Sequence, residues 1–596
     1  MSQSEPAPSS DSPADVAARR GRRRRLLRVL LVAVVLVGAW AAWTGWLAWT
    51  ARGDLTSASA DAQRLRAAVT SGDRGAADAA AADLRGHTRG AADATGGWAW
   101  GLATLLPRYG DDAAAVRAAS RALAGLAEDG VPGLLKASDG VDALTPRDGR
   151  IDVEALTALR PPVADGAAAA RAAAADLDGV ASGGLVPALR GRFDELRTQV
   201  DDLRSGLDAA DRALGVLPGL LGGDGQRRYL LVFQNNAEIR ATGGLPGAVA
   251  VLDADRGRIS LGPQVAGREV GGADQRISRA EAAVFGPQMG QYFLDAGFTP
   301  DFPRAAQLMR DRWLAARGGR IDGVVALDAV TTAGLLRATG PVDVEGVRLD
   351  ADNAVDELLA GVYRRFPDPD RQDAFFQGVT SAVFAKITSG QVDARRLVES
   401  LADAAGDGRL LVASQDEQEQ QVLAAAAVGG DLARGPHRDD VVVALNDATG
   451  AKMSTYLRTS MRLRPQTCAD GVRTLRGSVR LTSIAPADAG RSLPSYVTGG
   501  GAFDVTPGNQ VVRVHLLAPP GRTLERVTID RTVREVPPVE LDGRSTTTLF
   551  IELRPGQTTT VSYDLPGAAD APATRAVVTP GVAGATSTAA YAGTCG

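Results

Sequence analysis

Hydrophobic and polar positions divide the chain into four stretches with different periods. The first is continuous: "VLLVAVVLVGAWAAWTGWLAW", Val29 to Trp49, holds 21 residues without a charge. At ~1.5 Å per residue in a helix, that run spans roughly the 30 Å hydrocarbon core of a bilayer. The second stretch, 54–218, is Ala-rich with apolar residues three and four apart, which predicts an all-α helical bundle or stalk. Its last segment places Leu185, Leu189, Phe193, Leu196, Val200, Leu203, Leu207 and Leu214 in a heptad-like stripe that should bury against sister helices. Within it, "LRPPVADG" predicts a break between helices.

The third stretch, 226–430, mixes both periods. "YLLVFQ" and "LPGAVAVLD" read as strands, and "RGRISLG" as a third after the turn-forming "DADRG". A helix follows in "FTPDFPRAAQLMRDRWLAARG", capped by Asp301 and tolerating Pro303 in its first turn. Then come the strand "IDGVVALD", the helix "AVTTAGLLRATG" closed by Gly340, the hairpin "VDVEGVRL" and further helices to about residue 428. Strands alternating with helices predict a central α/β (α+β) domain with a mixed sheet. In the fourth stretch, 439–596, segments such as "DVVVALND", "TLRGSVRLTSIAP" and "STTTLFIELRPG" alternate apolar and polar residues between Pro, Gly, Asn and Asp turns. That pattern predicts a C-terminal all-β immunoglobulin-like sandwich. A chain of 596 residues is long enough for such a multidomain plan.

Charge gives the first stretch a direction. "RRGRRRRLLR", residues 19–28, carries seven arginines immediately before the apolar run, while Trp40, Trp43, Trp46 and Trp49 crowd its far end. Arginines mark the cytoplasmic side and indoles the interface, so 29–49 is expected to be a single transmembrane helix, N-terminus in. Residues 1–28 then form a disordered basic cytoplasmic tail, and the bulk of the chain is extracytoplasmic. A cleaved signal peptide is the alternative, but the run is long and bulky and "WTARGD" makes a poor small-residue cleavage site. Net charge is −4, with 66 basic and 70 acidic residues, so no overall field recruits nucleic acid, and none is expected as a partner. Only three lysines occur, Lys136, Lys386 and Lys452. The two cysteines, Cys468 and Cys595, both lie in the last third and form an even pair suited to a disulfide. With three histidines in unlike segments, His87, His437 and His515, no zinc site or local hydrolase arrangement can be read.

Candidate chemistry concentrates in two loops. "NNAEIRATGG" joins the first two central strands and offers Asn235, Asn236, Glu238, Arg240 and Thr242 ahead of Gly243 and Gly244. Such residues suit an anionic headgroup, and equally a hydrogen-bonded loop that caps itself. "RRFPDPDRQD" groups Arg364, Arg365, Asp368, Asp370 and Arg371, and a solvated charged loop has the same composition. "SQDEQEQQ", 414–421, reads as a solvated helix face.

The strings "YLLVFQNNAEIRATGGLPGAVAVLDADRGRIS", "FTPDFPRAAQLMRDRW", "DGVVALDAVTTAGLLRATGPVDV" and "NDATGAKMSTYL" occur in that order. Together they resemble the bacterial domain-of-unknown-function family 4012, over roughly residues 90–560. More weakly, the order strand, polar loop with Arg, strand, "DADRG" turn, strand is similar to the opening of the LytR-CpsA-Psr catalytic domain, whose members transfer glycopolymers from a polyprenyl pyrophosphate to the cell wall. "DGVVALDAVTTAGLLRATGPVDVEG" and "YRRFPDPDRQDAFFQGV" resemble later parts of that domain. The resemblance implies an Mg²⁺-dependent glycopolymer phosphotransferase. Arg240, Arg364, Arg365 and Arg371, with Asn235 and Asn236, would converge on pyrophosphate. Glu238, Asp368 or Asp370 would hold Mg²⁺, and Arg240, Glu238, Arg371 and Asp370 would form the catalytic set. Guanidinium forks and carboxylates suit those roles. After its third strand that family carries a Pro-Arg-Asp triplet, whereas this chain reads "ISLGPQVAGREV", with Arg268 and Glu269 in that neighbourhood. The alternative to an enzyme is a non-enzymatic envelope scaffold or adhesion protein.

Overall fold

The computed structural model describes residues 13–140, 145–469, 472–568, 574–582 and 585–588, with the backbone alone at 13–26, 468–469 and 585–588. Two compact units are present: Met1–Asp139 with Leu159–Asp211, and Gly140–Ala158 with Arg212–Gly596.

Helices make the first unit. They are α1 (Pro13–Ser71), α2 (Arg74–Gly96), α3 (Trp98–Ala103), α4 (Gly110–Gly125) and α5 (Val131–Gly140), then α6 (Val153–Asp178) and α7 (Pro187–Leu220), which run on into the second unit's segments. Within α1, Leu27–Ser71 contains a stretch long and apolar enough to cross a membrane. Beyond it α1 packs on α2 through small residues, burying Ala51, Ala58 and Ala68, and Asp73 caps α2 by accepting from the Ala76 amide at 3.0 Å. The first half of the heptad-like stripe buries as expected: Leu185, Phe193 and Val200 cluster with Ala115, Ala122 and Leu177, and Leu189 and Leu196 pack alongside, whereas Leu203 is exposed and Leu207 and Leu214 are half-buried. The expected break at "LRPPVADG" is absent, because α6 continues through Pro161 and Pro162. Proline's φ near −65° is itself helical, so two adjacent prolines forfeit backbone hydrogen bonds without forcing the chain out of the helix.

The second unit opens with β1 (Arg227–Asn235), β2 (Leu245–Asp255), β3 (Arg258–Ala266), β4 (Gly323–Asp328), the hairpin β5 (Val342–Val344) and β6 (Val347–Leu349), and β7 (Leu411–Ser414). The helices among and after these strands are α8 (Arg279–Phe285), α9 (Gln288–Gln291), α10 (Phe302–Arg317), α11 (Ala329–Thr339), α12 (Ala354–Asp356), α13 (Val362–Arg365), α14 (Pro369–Thr388), α15 (Ala394–Gly406) and α16 (Glu417–Ala424), and the short α17 (Ala489–Ser492) and α18 (Ser495–Thr498) lie further on. The mixed sheet has the order β3-β2-β1-β4-β7, with β1 antiparallel to β2 and parallel to β4. Side chains alternate across β1. Leu230 and Val232 face a core with Phe302, Met309 and Trp313, whereas Leu231 and Phe233 line a cavity on the other side. Asp301 caps α10 and Gly340, at φ 76°, ends α11, as expected.

Two further sheets complete the unit. One has the order β13-β12-β16-β10-β9-β18 and the other β14-β15-β11-β8-β17, built from β8 (Val441–Asp447), β9 (Leu457–Ala469), β10 (Val472–Ser483), β11 (Gln510–Leu517), β12 (Glu525–Ile529), β13 (Thr532–Val533), β14 (Val539–Leu541), β15 (Arg544–Leu553), β16 (Thr558–Ala568), β17 (Ala576–Val578) and β18 (Ala585–Thr588). Val443, Leu445, Val514 and Ile551 from one sheet share a core with Leu475, Val479, Val561 and Tyr563 from the other. Every residue of β8 is buried, since Val442 and Ala444 on its second face pack with Ala241 and Leu517. The 236–244 loop thus docks onto this region, and Ile239 enters the two-sheet core itself. Cys595 and the side chain of Cys468 lie outside the described residues, and with them the expected disulfide. One surface expectation needs correcting: Glu419 in "SQDEQEQQ" is buried, 2.9 Å from Arg227 and bonded to the Ser414 hydroxyl. The first turn of α16 tucks it against β1 and β7, where Arg227 neutralises it.

Candidate functional site

The cavity on the Leu231–Phe233 side of the sheet has a volume of about 420 Å³. Its walls are apolar: Leu231 and Phe233 from β1, Leu335 from α11, and Phe376, Val383 and Ile387 from α14. Its polar lining is a short set of groups that includes Asn235, Glu238, Arg268, Gln372, Asp373 and Lys452. A mostly apolar pocket with a few polar groups is the common form of a small-molecule site.

Four chain segments deliver those groups: the end of β1 with its loop, the turn after β3, the first turns of α14 and the loop between β8 and β9. Arg268 sits in the 3₁₀ turn Gly267–Glu269 that leaves β3. A Cβ at Gly267 would fall 2.0 Å from the Pro246 carbonyl oxygen, so glycine lets this turn press against the start of β2 and hold Arg268 in place. The Arg268 guanidinium bonds the Asp373 carboxylate and lies 2.8 Å from Asp370. Burial pushes the Asp373 carboxyl up, and Arg268 opposes it. Lys452 comes from the loop between β8 and β9. Its ammonium lies 3.5 Å from Glu238 Oε2 and 5.4 Å from the centre of the Tyr363 ring. Burial alone would lower the Lys452 pKa, but the Tyr363 and Glu238 groups beside it outweigh burial and raise it. Asn235, at the end of β1, donates to the Tyr363 hydroxyl and accepts from the Ala237 amide at 3.0 Å.

The remaining residues of the "NNAEIRATGG" loop bind the loop to the protein. Asn236 donates to Asp328 Oδ2 at 3.0 Å, and the same oxygen receives Arg409 at 2.7 Å. Arg240 is buried between Glu238 at 3.0 Å and Asp295 at 3.1 Å, over the Phe298 ring. Burial disfavours its charge, yet Glu238, Asp295 and Asp447 win and hold the guanidinium above its ordinary pKa. The "NDATG" segment completes the dock. Asn446 accepts from the Ala241 amide at 2.8 Å, and the Ile239 carbonyl accepts from the Asp447 amide at 2.9 Å. At Gly244 a Cβ would meet the Asn235 carbonyl carbon at 2.5 Å, which makes this glycine a packing requirement of the loop.

The expected convergence of arginines does not occur. Arg240 is enclosed by carboxylates and is not part of the cavity lining. Arg364 is exposed at the end of α13, Arg365 pairs with Glu357 at 3.2 Å, and Arg371 pairs with Glu345 at 2.9 Å on the surface. The helical path from α13 into α14 carries these side chains to solvent, while the faces bearing Tyr363, Gln372 and Asp373 turn to the cavity. The expected Mg²⁺ set does not assemble either. Asp368 is the N-cap of α14 and accepts from the Asp370 amide, Asp370 pairs with Arg268, and both Glu238 oxygens already face cations. Among the described residues no cluster of three or more His, Cys, Asp or Glu is arranged to hold a metal ion. Of the sequence-derived site residues the cavity is lined by Asn235 and Glu238, and Arg268 joins them. Lys452, Tyr363, Gln372 and Asp373 were not singled out; the signal for Lys452 was its rarity, as one of three lysines inside an ordered motif.

No curated protein and no solved structure matches the chain. Residues 224–363 match the model of the family described as "Protein of unknown function (DUF4012)". The match is narrower than the resemblance in the sequence suggests, and it takes in Asn235, Glu238, Arg268 and Tyr363 while stopping short of Asp373 and Lys452. Over that segment, under a quarter of its length, the chain is similar to the DUF4012 family.

Proposed function

We propose that the cavity binds a lipid with one long apolar chain and a phosphate headgroup, of the polyprenyl phosphate or pyrophosphate class, in the assembly or organisation of cell-surface polymer. The observation that carries this reading is the pairing of apolar walls from β1, α11 and α14 with two cations, Arg268 and Lys452, on the same cavity. The walls match an alkyl or isoprenoid chain. Phosphate oxygens take guanidinium and ammonium donors well, and they would compete with Asp373 and Glu238 for those cations. The weaker sequence resemblance to the LytR-CpsA-Psr opening implies the same substrate class, with Arg268 in the neighbourhood of that family's triplet.

In this reading α1 is an uncleaved single-pass anchor, the arginines of 19–28 stay in the cytoplasm, and the second unit lies outside the membrane. The two C-terminal sheets serve as an immunoglobulin-like module that supplies Lys452. Because Glu238, Asp368 and Asp370 do not form a metal set, no transfer step is assigned to them. The same fact favours, as the second reading, a non-enzymatic scaffold. The test is organic extraction and mass spectrometry of the full chain purified from its own membranes, beside Val383→Trp, which fills the cavity. A near-stoichiometric long-chain phosphate in the wild type that is lost in the variant supports the proposal. No such lipid in either folded protein moves the reading to the scaffold.

A further inference from the structure

The connection between α2 and α4 exposes large apolar side chains. Trp98 is 77 % exposed and Leu105 76 %, and Leu102, Leu106 and Tyr109 are also open. The segment is nonetheless firmly built. Trp100 is buried and donates to the Ala113 carbonyl at 2.9 Å, Ala99 and Ala103 are buried beside it, and Arg117 closes the end of α2 by donating to the Thr95, Gly96 and Gly97 carbonyls. One side of α3 therefore packs inward while the other presents tryptophan and leucine. Contiguous exposed apolar groups on an ordered segment mark a surface that meets something apolar.

Its position names the occupant. Trp40 of α1 donates its indole N–H to the Ala99 carbonyl at 2.9 Å. Trp40 lies nine residues inside the apolar run that ends at Trp49, a depth of roughly 14 Å along the helix. The α2 hairpin thus returns along α1 and places α3 beside the apolar run, where Trp43, Trp46 and Trp49 are themselves exposed. Arg108 follows Leu105 and Leu106, where a charged head can reach the interface. We propose that Trp98–Tyr109 is a second membrane-embedded element, a wedge that enters the leaflet on the far side of the cytoplasmic arginines and fixes the first unit against the bilayer surface. Leu102, Leu105 and Leu106 enter the acyl region together with Trp98, whose neighbour Ala99 meets Trp40, while Tyr109 beside Arg108 lies toward the interface, as aromatic residues do at the ends of spanning helices. This rests on α1 crossing the bilayer.

The experiment uses the full native chain in phospholipid vesicles containing a lipid with a diazirine on its acyl chain. After irradiation, two tryptic peptides are read by mass spectrometry: Val29–Arg52 from α1 and Gly90–Arg108 from the wedge. Label in both is expected. Label in Val29–Arg52 alone overturns the wedge and leaves the anchor intact; label in neither overturns the anchor as well. A second arm places Leu105→Cys and Asp78→Cys separately in a chain carrying Cys468→Ser and Cys595→Ser. With an impermeant maleimide added outside the vesicles, Leu105→Cys should react at least tenfold more slowly than Asp78→Cys, whose side chain is open on α2. Equal rates in folded protein overturn the proposal.

Discussion

Arg240 and Arg268 leave the same sheet on neighbouring turns, and their surroundings assign them opposite work. Arg240 follows β1 into a loop held by β8 and its following segment, and its guanidinium is enclosed by Glu238, Asp295 and the Phe298 ring. Arg268 follows β3 into a short turn that remains half open, with its carboxylate partners Asp373 and Asp370 at the surface or the cavity. The first is a structural ion-pair network and the second a cation that a ligand can compete for. Neither residue type nor the number of carboxylate partners separates them; burial does, since Arg240 is enclosed and Arg268 is 44 % exposed.

The comparison breaks first at Arg240. Arg240→Ala leaves Asp295 buried without its ion-pair partner and Glu238 with Lys452 alone, and removal of one partner of such a network costs about 3–5 kcal/mol. Chemical denaturation of the full chain should show that loss, or no folded protein at all, whereas Arg268→Ala should cost about 1 kcal/mol or less because its pairs are partly exposed. The next effect is in pH. Burial raises Asp301 and Asp447 to about 6, while in the unfolded chain each ionises near ~3.9. Between those values the folded state holds more protons, so stability falls as pH rises from about 4 to about 6, by up to ~3 kcal/mol per group. Asp301→Asn should remove its share of that slope in pH-dependent denaturation and keep its capping bond to the Arg304 amide. Third, Arg268→Ala or Lys452→Ala should weaken binding of a polyprenyl phosphate by about 10- to 100-fold, the worth of one charge-assisted hydrogen bond, in protein that circular dichroism shows to be folded. The smallest effect is at Arg371→Ala, where loss of a surface pair to Glu345 should change stability by less than about 1 kcal/mol and binding not at all.

Much of the fold was legible in the chain because local rules agreed with the tertiary outcome. The strands from Arg227 to Ala266, the cap at Asp301 and the stop at Gly340 all followed from period, capping oxygen and glycine. Pro161 and Pro162 misled, since a proline pair suits a helical φ once the helix is held by packing. The site was legible only in part. "NNAEIRATGG" stands out between two apolar runs, but a loop rich in Asn, Glu and Arg reads alike whether its partners are protein or ligand. Its partners Asn446 and Ser454 lie some 200 residues further on, across a change from α/β to β patterning. Lys452 and Asp373 reach the cavity by the same long-range assembly, which no local pattern encodes.

The most direct test is titration of a polyprenyl phosphate, and separately the pyrophosphate, into the detergent-solubilised full chain, comparing the wild type, the double variant Arg268→Ala with Lys452→Ala, and Arg371→Ala. Saturable binding by the wild type and Arg371→Ala, weakened at least tenfold in the folded double variant, is the expected result. Equal affinity in all three proteins, or no binding by the folded wild type, would contradict the assignment of the cavity to a lipid phosphate.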